Sequence, residues 1–372
     1  MRILMSTDTV GGVWTYSIEL SAQFAARGHE VVLAAMGPPP TAAQESAAAI
    51  KGVRLRCRQF KLEWMDDPWD DVERCGQWLL GVAAQTAPDV VHLNHYCNTS
   101  LPWQRPVVVV GHSCVLSWWQ AVKGQPAPAR WRDYAEKVRQ GVQAADVLVA
   151  PTLTMLSQLR RHYGPLPPAR VIYNGLAADG AVAGDAGKEL LALSAGRLWD
   201  EAKNAAALAK AASMLTWPVY LAGAVDHPAA TRDGRVDGVR CLGPLDRTDL
   251  LSWMARAAVY VLPARYEPFG LTALEAAMRG CALILGDIRS LREVWGQSAI
   301  FVPPADDTAL AYAIDRVLGE EPLRVTLSRL ARARARRFTA VRMALSYLAL
   351  YRRLLQGRLV CVPSHQEHSC VL

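Results

Sequence analysis

The feature that most constrains the fold of this chain is a repeated alternation of short apolar runs with longer helical stretches. The first half contains the runs RILMS, EVVLAAM, DVVHLN, PVVVVGHS, DVLVAP and RVIYNG, with helical stretches such as WRDYAEKVRQGVQAA between several of them. The runs are apolar throughout, which is typical of strands buried on both faces of a parallel sheet. The sequence therefore predicts an α/β domain with helices on both faces of such a sheet.

The second half repeats the same alternation after a change in composition. The segment LAADGAVAGDAGKE, which follows Asn174-Gly175, has the small residues of a flexible linker. A helix is then expected from about Asn204, among the apolar runs LLALSAG, VYLAG, VRCLG, VYVLPA, ALILGD and AIFVPP. We therefore predict two doubly wound α/β domains, residues 1–178 and 179–339, whose ligands bind at the carboxyl ends of the strands.

Length and composition agree with this division and exclude several classes of protein. A chain of 372 residues is long enough for two cores, and 51% hydrophobic with 20% charged residues is a globular composition. It lacks the run of ~18 apolar residues that a membrane span needs. The opening MRILMSTDTVGG predicts a buried strand rather than a secretory signal, and eight scattered cysteines are typical of reduced thiols. We expect a cytoplasmic protein.

Positive charge is concentrated near the C-terminus. Residues 324–358 contain ten arginines and no aspartate or glutamate, so without them the net charge of +7 becomes −3. A mildly acidic body argues against a nucleic-acid-binding protein. The arginine-rich helix could instead make peripheral contact with an anionic membrane, at the inner face of which the protein would then work. The alternative is an ordinary solvated helix.

The last residues, 358–372, differ in character from the domains. Cys361, His365, His368 and Cys370 could together hold a zinc ion, but their spacing matches no common structural site. A disordered tail is the prediction for this segment.

The stretch RYEPFGLTALEAAMRG, residues 265–280, carries the most specific signal. Pro268 and Gly270 suit a loop that leads into a helix over residues 271–278. Glu267 then lies just before the helix N-terminus and Glu275 about one turn inside it, on one broad face. The N-terminus of a helix attracts anions, so two carboxylates here predict a polar ligand between them. The alternative is that the first glutamate stabilises its own helix and the second is solvated.

Other loops at predicted strand ends contain matching chemistry. Gly11-Gly12 separate the first strand from a helix and predict an amide-rich anion or sugar site, although the dinucleotide and P-loop fingerprints are absent. His112 ends an apolar strand and could orient a substrate hydroxyl, or could simply bond to backbone. Arg197 ends another strand and Lys203 precedes the next helix, and two such cations suit a diphosphate.

With these motifs the chain resembles the family 4 glycosyltransferases, which have the GT-B fold, use a nucleotide-activated sugar and retain anomeric configuration. The resemblance runs from GGVWTYSIELSAQFAARGHEV through AGRL, CLGPL and EPFGLTALEAAMRGCALIL to VPPADDTALAYAI. Its most specific part is the pair of glutamates with seven residues between them. It implies two Rossmann-like domains facing each other across a cleft, with the acceptor on the N-terminal domain and the nucleotide sugar on the C-terminal domain. A helix over about 340–357 would cross back to the first domain.

The resemblance also implies a role for individual residues. Glu275 would bond the ribose hydroxyls, and Glu267 with the amides beside it would address the donor sugar and the diphosphate. Arg197 and Lys203 would neutralise the departing nucleoside diphosphate, although they lie six positions apart where the family more often has five. The implied catalytic set is Glu267, His112, Arg197 and Lys203. The implied donor-binding set is Gly12, Arg197, Lys203, Leu245, Glu267, Phe269, Gly270, Leu271 and Glu275.

This chemistry needs no cofactor and no metal ion, because cations and amides can stabilise the leaving diphosphate. The family is thought to retain configuration by a front-face route in which the leaving phosphate takes the acceptor proton, so Glu267 would position rather than attack. The implied acceptor is a glycan, a lipid-linked molecule or a small molecule, and we expect a role in cell-envelope polysaccharide biosynthesis. Two alternatives are a non-catalytic nucleotide-sugar-binding protein and a sugar-nucleotide epimerase of the same fold.

Overall fold

The computed structural model describes residues 1–177, 187–224 and 238–357. Most of the predicted linker, residues 178–186, lies outside the described residues. The predicted tail, residues 358–372, with its four candidate zinc ligands, lies outside them too.

The N-terminal domain is built on a parallel sheet in which seven strands are described, in the order β3-β2-β1-β4-β5-β6-β7. The strands are β1 (Arg2–Asp8), β2 (Glu30–Met36), β3 (Arg54–Cys57), β4 (Val90–Leu93), β5 (Val107–Val110), β6 (Val147–Ala150) and β7 (Ala169–Val171). The helices are α1 (Gly12–Ala25), α2 (Ala42–Ile50), α3 (Trp69–Thr86), α4 (Val115–Lys123), α5 (Arg132–Ala144) and α6 (Leu153–Tyr163). Strands β4, β5 and β6 are buried at every position, which explains their uniformly apolar sequences.

The C-terminal domain repeats the arrangement with six described strands in the order β10-β9-β8-β11-β12-β13. They are β8 (Glu189–Ala195), β9 (Val219–Ala222), β10 (Arg240–Gly243), β11 (Ala257–Leu262), β12 (Ala282–Gly286) and β13 (Ile300–Val302). The helices are α7 (Ala205–Ala212), α8 (Arg247–Arg256), α9 (Leu271–Met278), α10 (Arg289–Trp295), α11 (Asp307–Gly319) and α12 (Glu321–Ala335). The two parallel sheets confirm the predicted pair of doubly wound domains. The strand order reverses between β1 and β4 and between β8 and β11, which is where such sheets bind ligands.

The chain passes between the domains twice at one place. The amide of Leu176 donates to the carbonyl of Phe338 over 3.2 Å, and the amide of Ala340 donates to the carbonyl of Leu176 over 2.9 Å. A side chain at Gly175 would meet the Thr339 carbonyl oxygen at 2.2 Å, so only glycine allows this close approach. The two crossings are therefore held together as one connection between the domains.

The last described helix, α13 (Ala340–Leu355), packs on the N-terminal domain. Met343, Tyr347, Leu348 and Tyr351 are buried in the same core cluster as strand β1 and helix α1. The Tyr351 hydroxyl also lies 2.5 Å from Nδ1 of His92, at the end of β4. Residues from the far end of the chain thus complete the core behind the N-terminal half of the cleft.

The arginine-rich segment was expected to be solvated, but some of its arginines bind carbonyl groups of the protein instead. Arg324 donates to the carbonyl of Leu318 over 2.7 Å, and Arg334 donates to the carbonyl of Val294 over 2.6 Å. Both carbonyls lie in the last turn of a helix, where a cation also opposes the helix dipole favourably. The exposed arginines of α12, α13 and the turn between them are Arg329, Arg336, Arg337, Arg342, Arg352 and Arg353.

Candidate functional site

The glycine loop of the N-terminal domain meets the C-terminal domain at the centre of the cleft. A side chain at Gly12 would touch Cδ1 of Leu271, the first residue of α9, at 3.4 Å. One at Gly11 would lie 4.0 Å from Nη1 of Arg197, and Gly11 has a φ of 77° that favours glycine. The structure thus brings three predicted features together, namely the glycine loop, the α9 N-terminus and Arg197.

Glu267 closes the N-terminus of α9. The residue at the N-cap position is Gly270, which has no side chain to accept a hydrogen bond from the first turn. The carboxylate of Glu267 fixes the two residues just before the helix, accepting from the Gly270 amide over 2.9 Å and from the Phe269 amide over 3.3 Å. The Phe269 ring itself lies in the core of the C-terminal domain, so the contribution of this residue to the site is its amide.

Lys203 reaches the same carboxylate from the other side. It ends a short helical turn, Glu201–Lys203, and its ammonium bonds the second oxygen of Glu267. The following residue, Asn204, has a left-handed backbone with a φ of 59°, and its side-chain amide donates to the carbonyls of Pro263 and Pro304. These bonds fix the turn, so the six-residue spacing from Arg197 still delivers Lys203 to Glu267.

The charges of this pair follow from their contacts. Burial by itself would raise the pKa of Glu267, but the Lys203 ammonium and the amides of Phe269 and Gly270 hold it below its usual value. Glu267 is therefore ionised at neutral pH. The Glu267 carboxylate, the Lys203 ammonium group and the N-terminus of α9 lie next to one another. Because the two opposite charges nearly cancel, this group of residues can orient an anionic ligand without a large net charge of its own.

Arg197 follows β8, and its guanidinium contacts Asp200 and Trp199. Its Nη2 donates to Oδ2 of Asp200 over 3.0 Å, and its guanidinium lies 5.4 Å from the centroid of the Trp199 ring. The side chain is 40% exposed, and Nη1 points towards the glycine loop. Arg197 and Lys203 together place two cations beside the N-terminus of α9, which is the arrangement that a diphosphate requires.

Glu275 lies inside α9 with its side chain only 8% exposed. Its Oε1 is 3.4 Å from Nη1 of Arg247, whose Nη2 is 3.6 Å from Oε1 of Glu19 in the N-terminal domain. Burial raises the pKa of Glu275 and so does Glu19, while Arg247 opposes them. Leu245, in the CLGPL segment, is partly buried two residues before Arg247. Glu275 therefore faces Arg247 at the start of α8, next to the carboxylate of Glu19 from the other domain.

His112 is neutral and held by a side chain rather than by backbone. Its Nε2 lies 2.8 Å from Oδ1 of Asn94, whose amide nitrogen is already used by the backbone of Ser6 and the hydroxyl of Ser17. Nε2 must therefore carry the hydrogen, which leaves Nδ1 as an acceptor. Burial and the neighbouring histidines lower the pKa of His112 to about 3, and Tyr16 packs edge-on against its ring. A neutral imidazole here can accept a hydrogen bond from a hydroxyl.

The structure adds a charged pair on the same side of the cleft that the sequence does not predict. Nε2 of His95 lies 3.1 Å from Oδ2 of Asp8, and both side chains are buried. Burial would lower the pKa of His95, but the hydrogen bond and the charge of Asp8 raise it. Asp8 ends β1 and His95 closely follows β4, so polar residues at the ends of apolar runs were the available signal. Nearby, Glu63 accepts the amides of Tyr96 and Cys97.

Contacts across the cleft were also missed. The Tyr266 hydroxyl of the C-terminal domain accepts the Cys114 amide over 3.3 Å. Glu293 in α10 accepts the amides of Leu153 and Thr154, so one domain caps a helix of the other. The residues in each contact are more than 130 positions apart, and no local pattern in the sequence reveals them.

Neither a metal-binding cluster nor a membrane-spanning helix occurs in the described part of the chain. Across residues 1–177, 187–224 and 238–357, no three histidine, cysteine, aspartate or glutamate side chains are grouped so that they could hold a metal ion. In the same ranges, no helix has the length and apolarity needed to cross a bilayer.

Comparison with known families agrees with the geometry of both domains. The model of Glycosyltransferase Family 4 matches residues 10–179, and the model of Glycosyl transferases group 1 matches residues 189–320. The first match contains the glycine loop and His112. The second contains Arg197, Lys203 and both glutamates of α9 and its preceding loop.

Individual proteins match along nearly the whole chain. The glycogen synthase of Mycobacterium tuberculosis is 29% identical, with 90% of each chain covered. The D-inositol 3-phosphate glycosyltransferase of Xylanimonas cellulosilytica is 28% identical, with 95% of this chain and 94% of the relative covered. Among solved structures, sucrose-phosphate synthase from Thermosynechococcus elongatus superposes with a TM-score of 0.77 at 21% identity, covering 96% of this chain and all of that one. HepE of Anabaena, solved with UDP-glucose, has a TM-score of 0.76 at 16% identity, covering 95% and 100%.

Proposed function

We propose that this protein retains the anomeric configuration of the sugar that it transfers. It belongs to glycosyltransferase family 4 and is a glycosyltransferase of the GT-B fold with a nucleotide-sugar donor. The observation that carries the proposal is the meeting of Arg197, Lys203 and the α9 N-terminus opposite the glycine loop. In the proposed complex the diphosphate lies among these groups. Its ribose lies on Glu275 and its sugar lies between Glu267 and His112.

The reaction needs stabilisation of a leaving group. As the glycosyl–phosphate bond breaks, negative charge develops on the diphosphate, and Arg197, Lys203 and the α9 amides are already oriented towards it. These cations can supply the stabilisation that a metal ion would otherwise give, so we propose a metal-independent enzyme. Glu267 is already engaged by Lys203 and two amides, which suits positioning rather than nucleophilic attack. The leaving phosphate then takes the proton of the acceptor hydroxyl.

His112 fits a role in holding the donor sugar. Asn94 fixes its ring so that Nδ1 is the available acceptor, and a low pKa keeps that nitrogen unprotonated at neutral pH. A sugar hydroxyl would donate to it. This assignment favours contact with substrate over proton transfer, because a group with a pKa of about 3 is a weak base at pH 7.

We propose a glycan acceptor, either free or lipid-linked. The relatives named above include an enzyme named for glycogen and one named for an inositol phosphate, so family membership alone does not choose the acceptor. In this chain Asp8 ends β1 and contacts His95, and the carboxylate of Glu63 lies nearby in the loop between β3 and α3. Carboxylates and imidazoles bond hydroxyl groups well, which supports a polyhydroxylated acceptor.

A panel of donors tests the proposed function. UDP-glucose, ADP-glucose and GDP-mannose are each added to the full-length protein, and the thermal midpoint is measured. A true donor raises the midpoint by mass action, by the equivalent of about 2.7 kcal/mol at 100 times its dissociation constant. The same donor should then lose its sugar to a glucan primer or, slowly, to water. A donor that binds without any turnover would indicate the non-catalytic alternative, and an epimerised sugar with free nucleotide would indicate the epimerase.

Glu275→Ala should weaken binding of the free nucleoside diphosphate. Ribose hydroxyls that bond a charged carboxylate gain about 1.5–3 kcal/mol, so the dissociation constant should rise by roughly 10- to 100-fold. Calorimetric titration with UDP, ADP and GDP gives the value. Glu293→Gln is the control, because the Glu293 carboxylate also lies between the domains but binds the amides of Leu153 and Thr154 rather than the proposed ribose site. Equal affinity of wild type and a folded Glu275→Ala protein would contradict the ribose role.

We further propose that the enzyme binds anionic membranes weakly and reversibly. Besides the exposed arginines of α12 and α13, helix α13 exposes Val341, Leu345 and Leu355. Each arginine near an anionic surface adds about 1 kcal/mol, and salt screens this attraction within about 8–10 Å. Flotation should recover the protein with phosphatidylserine vesicles at low salt, but much less at high salt or after Arg352→Gln with Arg353→Gln. Equal recovery with neutral vesicles, or none with either, would contradict it.

A further inference from the structure

One buried carboxylate, Asp200, joins the two domains to the diphosphate site. Its Oδ2 accepts a hydrogen bond from Nη2 of Arg197 over 3.0 Å. Its Oδ1 accepts two more, from Nε1 of Trp118 over 2.9 Å and from the amide of Ala202 over 3.0 Å. The side chain of Asp200 is only 7% exposed. Three donors from three directions therefore leave this carboxylate a single orientation.

The partners of Asp200 come from both sides of the cleft. Trp118 belongs to α4, which follows the strand that ends near His112 in the N-terminal domain. Arg197, Asp200 and Ala202 belong to the loop between β8 and α7 in the C-terminal domain. The contact is complete only when α4 lies against that loop. Separation of the domains would remove one of the two donors that hold Oδ1.

A second contact joins the same two elements. The ammonium group of Lys123, at the end of α4, lies 2.7 Å from Glu201, which directly follows Asp200. This pair is partly exposed and does not touch Arg197, whereas the contact from Trp118 reaches Arg197 through a single carboxylate. Nζ of Lys123 also lies 6.0 Å from the centroid of the Trp118 ring, so a change at Glu201 is the one that removes this ion pair and leaves both Lys123 and Trp118 in place.

We propose that Asp200 and Trp118 are positioning residues that orient Arg197 for the leaving diphosphate when the cleft is closed. The guanidinium is a planar fork, so a carboxylate fixed on its Nη2 side determines where the opposite edge points. In this structure Nη1 lies on the side of the glycine loop, where the proposed diphosphate binds. The inference rests on the proposed function and adds to it a link between domain closure and leaving-group stabilisation.

The link predicts an effect on turnover rather than on donor binding. Arg197 interacts most strongly once charge has developed, so a misoriented guanidinium costs the transition state more than the ground state. A displacement of about 1 Å in such a group can cost up to 10²-fold in rate. We expect Trp118→Phe to lower kcat about 10-fold and Asp200→Asn about 10²-fold, with the donor KM within about threefold of wild type.

The test is a double-mutant cycle on the full chain. Nucleoside diphosphate release is measured with whichever of UDP-glucose, ADP-glucose and GDP-mannose the wild type turns over. Trp118→Phe is made alone and in an Arg197→Ala background, and Glu201→Gln is the control at the neighbouring ion pair. If Trp118 acts through Arg197, Trp118→Phe has no further effect once Arg197 is absent, because the two changes are not additive. Glu201→Gln should stay within about threefold of wild type, because its ion pair is largely exposed.

Three results would overturn the proposal. One is an equal loss of kcat in Trp118→Phe and Glu201→Gln, which would make the contact a general domain contact. Another is a full effect of Trp118→Phe in the Arg197→Ala background. The third is a rise in donor KM with kcat unchanged in both Trp118→Phe and Asp200→Asn. Absence of turnover by the wild type itself would instead contradict the proposed function, so the two failures are distinguishable. Trp118→Phe keeps an apolar ring in place and serves if Asp200→Asn does not fold.

Discussion

Replacing Arg197 with alanine is expected to lower kcat by about 10²–10³-fold while the donor KM changes only a few-fold. Arg197 lies beside the glycine loop with Nη1 towards the proposed diphosphate. Charge on that group grows as the bond to the sugar breaks, so the guanidinium stabilises the transition state more than the bound donor. Initial rates of nucleoside diphosphate release over a range of donor concentrations separate the two parameters.

The matched control for Arg197→Ala is Arg256→Ala. Arg256 pairs with Glu189 in an ion pair in which both side chains are about half exposed, and such pairs contribute little. Its kcat and KM should equal those of the wild type. If Arg197→Ala kept a normal kcat and shifted only the donor KM, the assignment of Arg197 to the leaving group would be wrong.

Glu267→Gln is expected to reduce both turnover and stability. Glutamine has nearly the same shape as glutamate, but it lacks the negative charge that binds Lys203 and that interacts favourably with the N-terminal end of the α9 dipole. Removing one partner of a largely buried ion pair costs about 3 kcal/mol or more in the free energy of unfolding. With Lys203 and the amides of Phe269 and Gly270 no longer oriented, kcat should fall by at least about 10²-fold. Urea unfolding and initial rates measure the two effects.

The control here is Glu189→Gln, the other half of the exposed pair. Its free energy of unfolding should fall by less than about 1 kcal/mol, and its rate should not change. A Glu267→Gln protein with wild-type turnover would show that the carboxylate merely closes a helix, which is the alternative that the sequence left open.

The sequence predicted those parts of the site that local physics determines. The helix expected over residues 271–278 is α9 (Leu271–Met278), because Pro268 and Gly270 end the loop and good helix formers follow. The two doubly wound domains were predictable for a similar reason, since strands buried on both faces must be apolar along their whole length. Glu267 was predictable in position, although its bonds to Lys203 and to the Gly270 amide were not.

The parts that were missed depend on contacts between distant segments. Trp118 and Asp200 are 82 positions apart, and each looks like an ordinary surface or loop residue until the domains are placed together. Arg334 looked like solvated charge until its bond to the end of α10 was known. Asp8 lies at the end of an apolar run, and residues at the carboxyl ends of parallel strands are the ones that reach the ligand site.

The anomeric configuration of the released sugar tests the central claim most directly. The donor that gives the largest thermal shift is incubated with the full-length protein, and proton NMR follows the first sugar formed, on a primer or in water, before mutarotation. For an α-linked donor we predict an α product, formed in equal amount with the nucleoside diphosphate, and loss of both signals in Arg197→Ala. A β product formed first, or sugar release that persists in Arg197→Ala at the wild-type rate, would contradict the account.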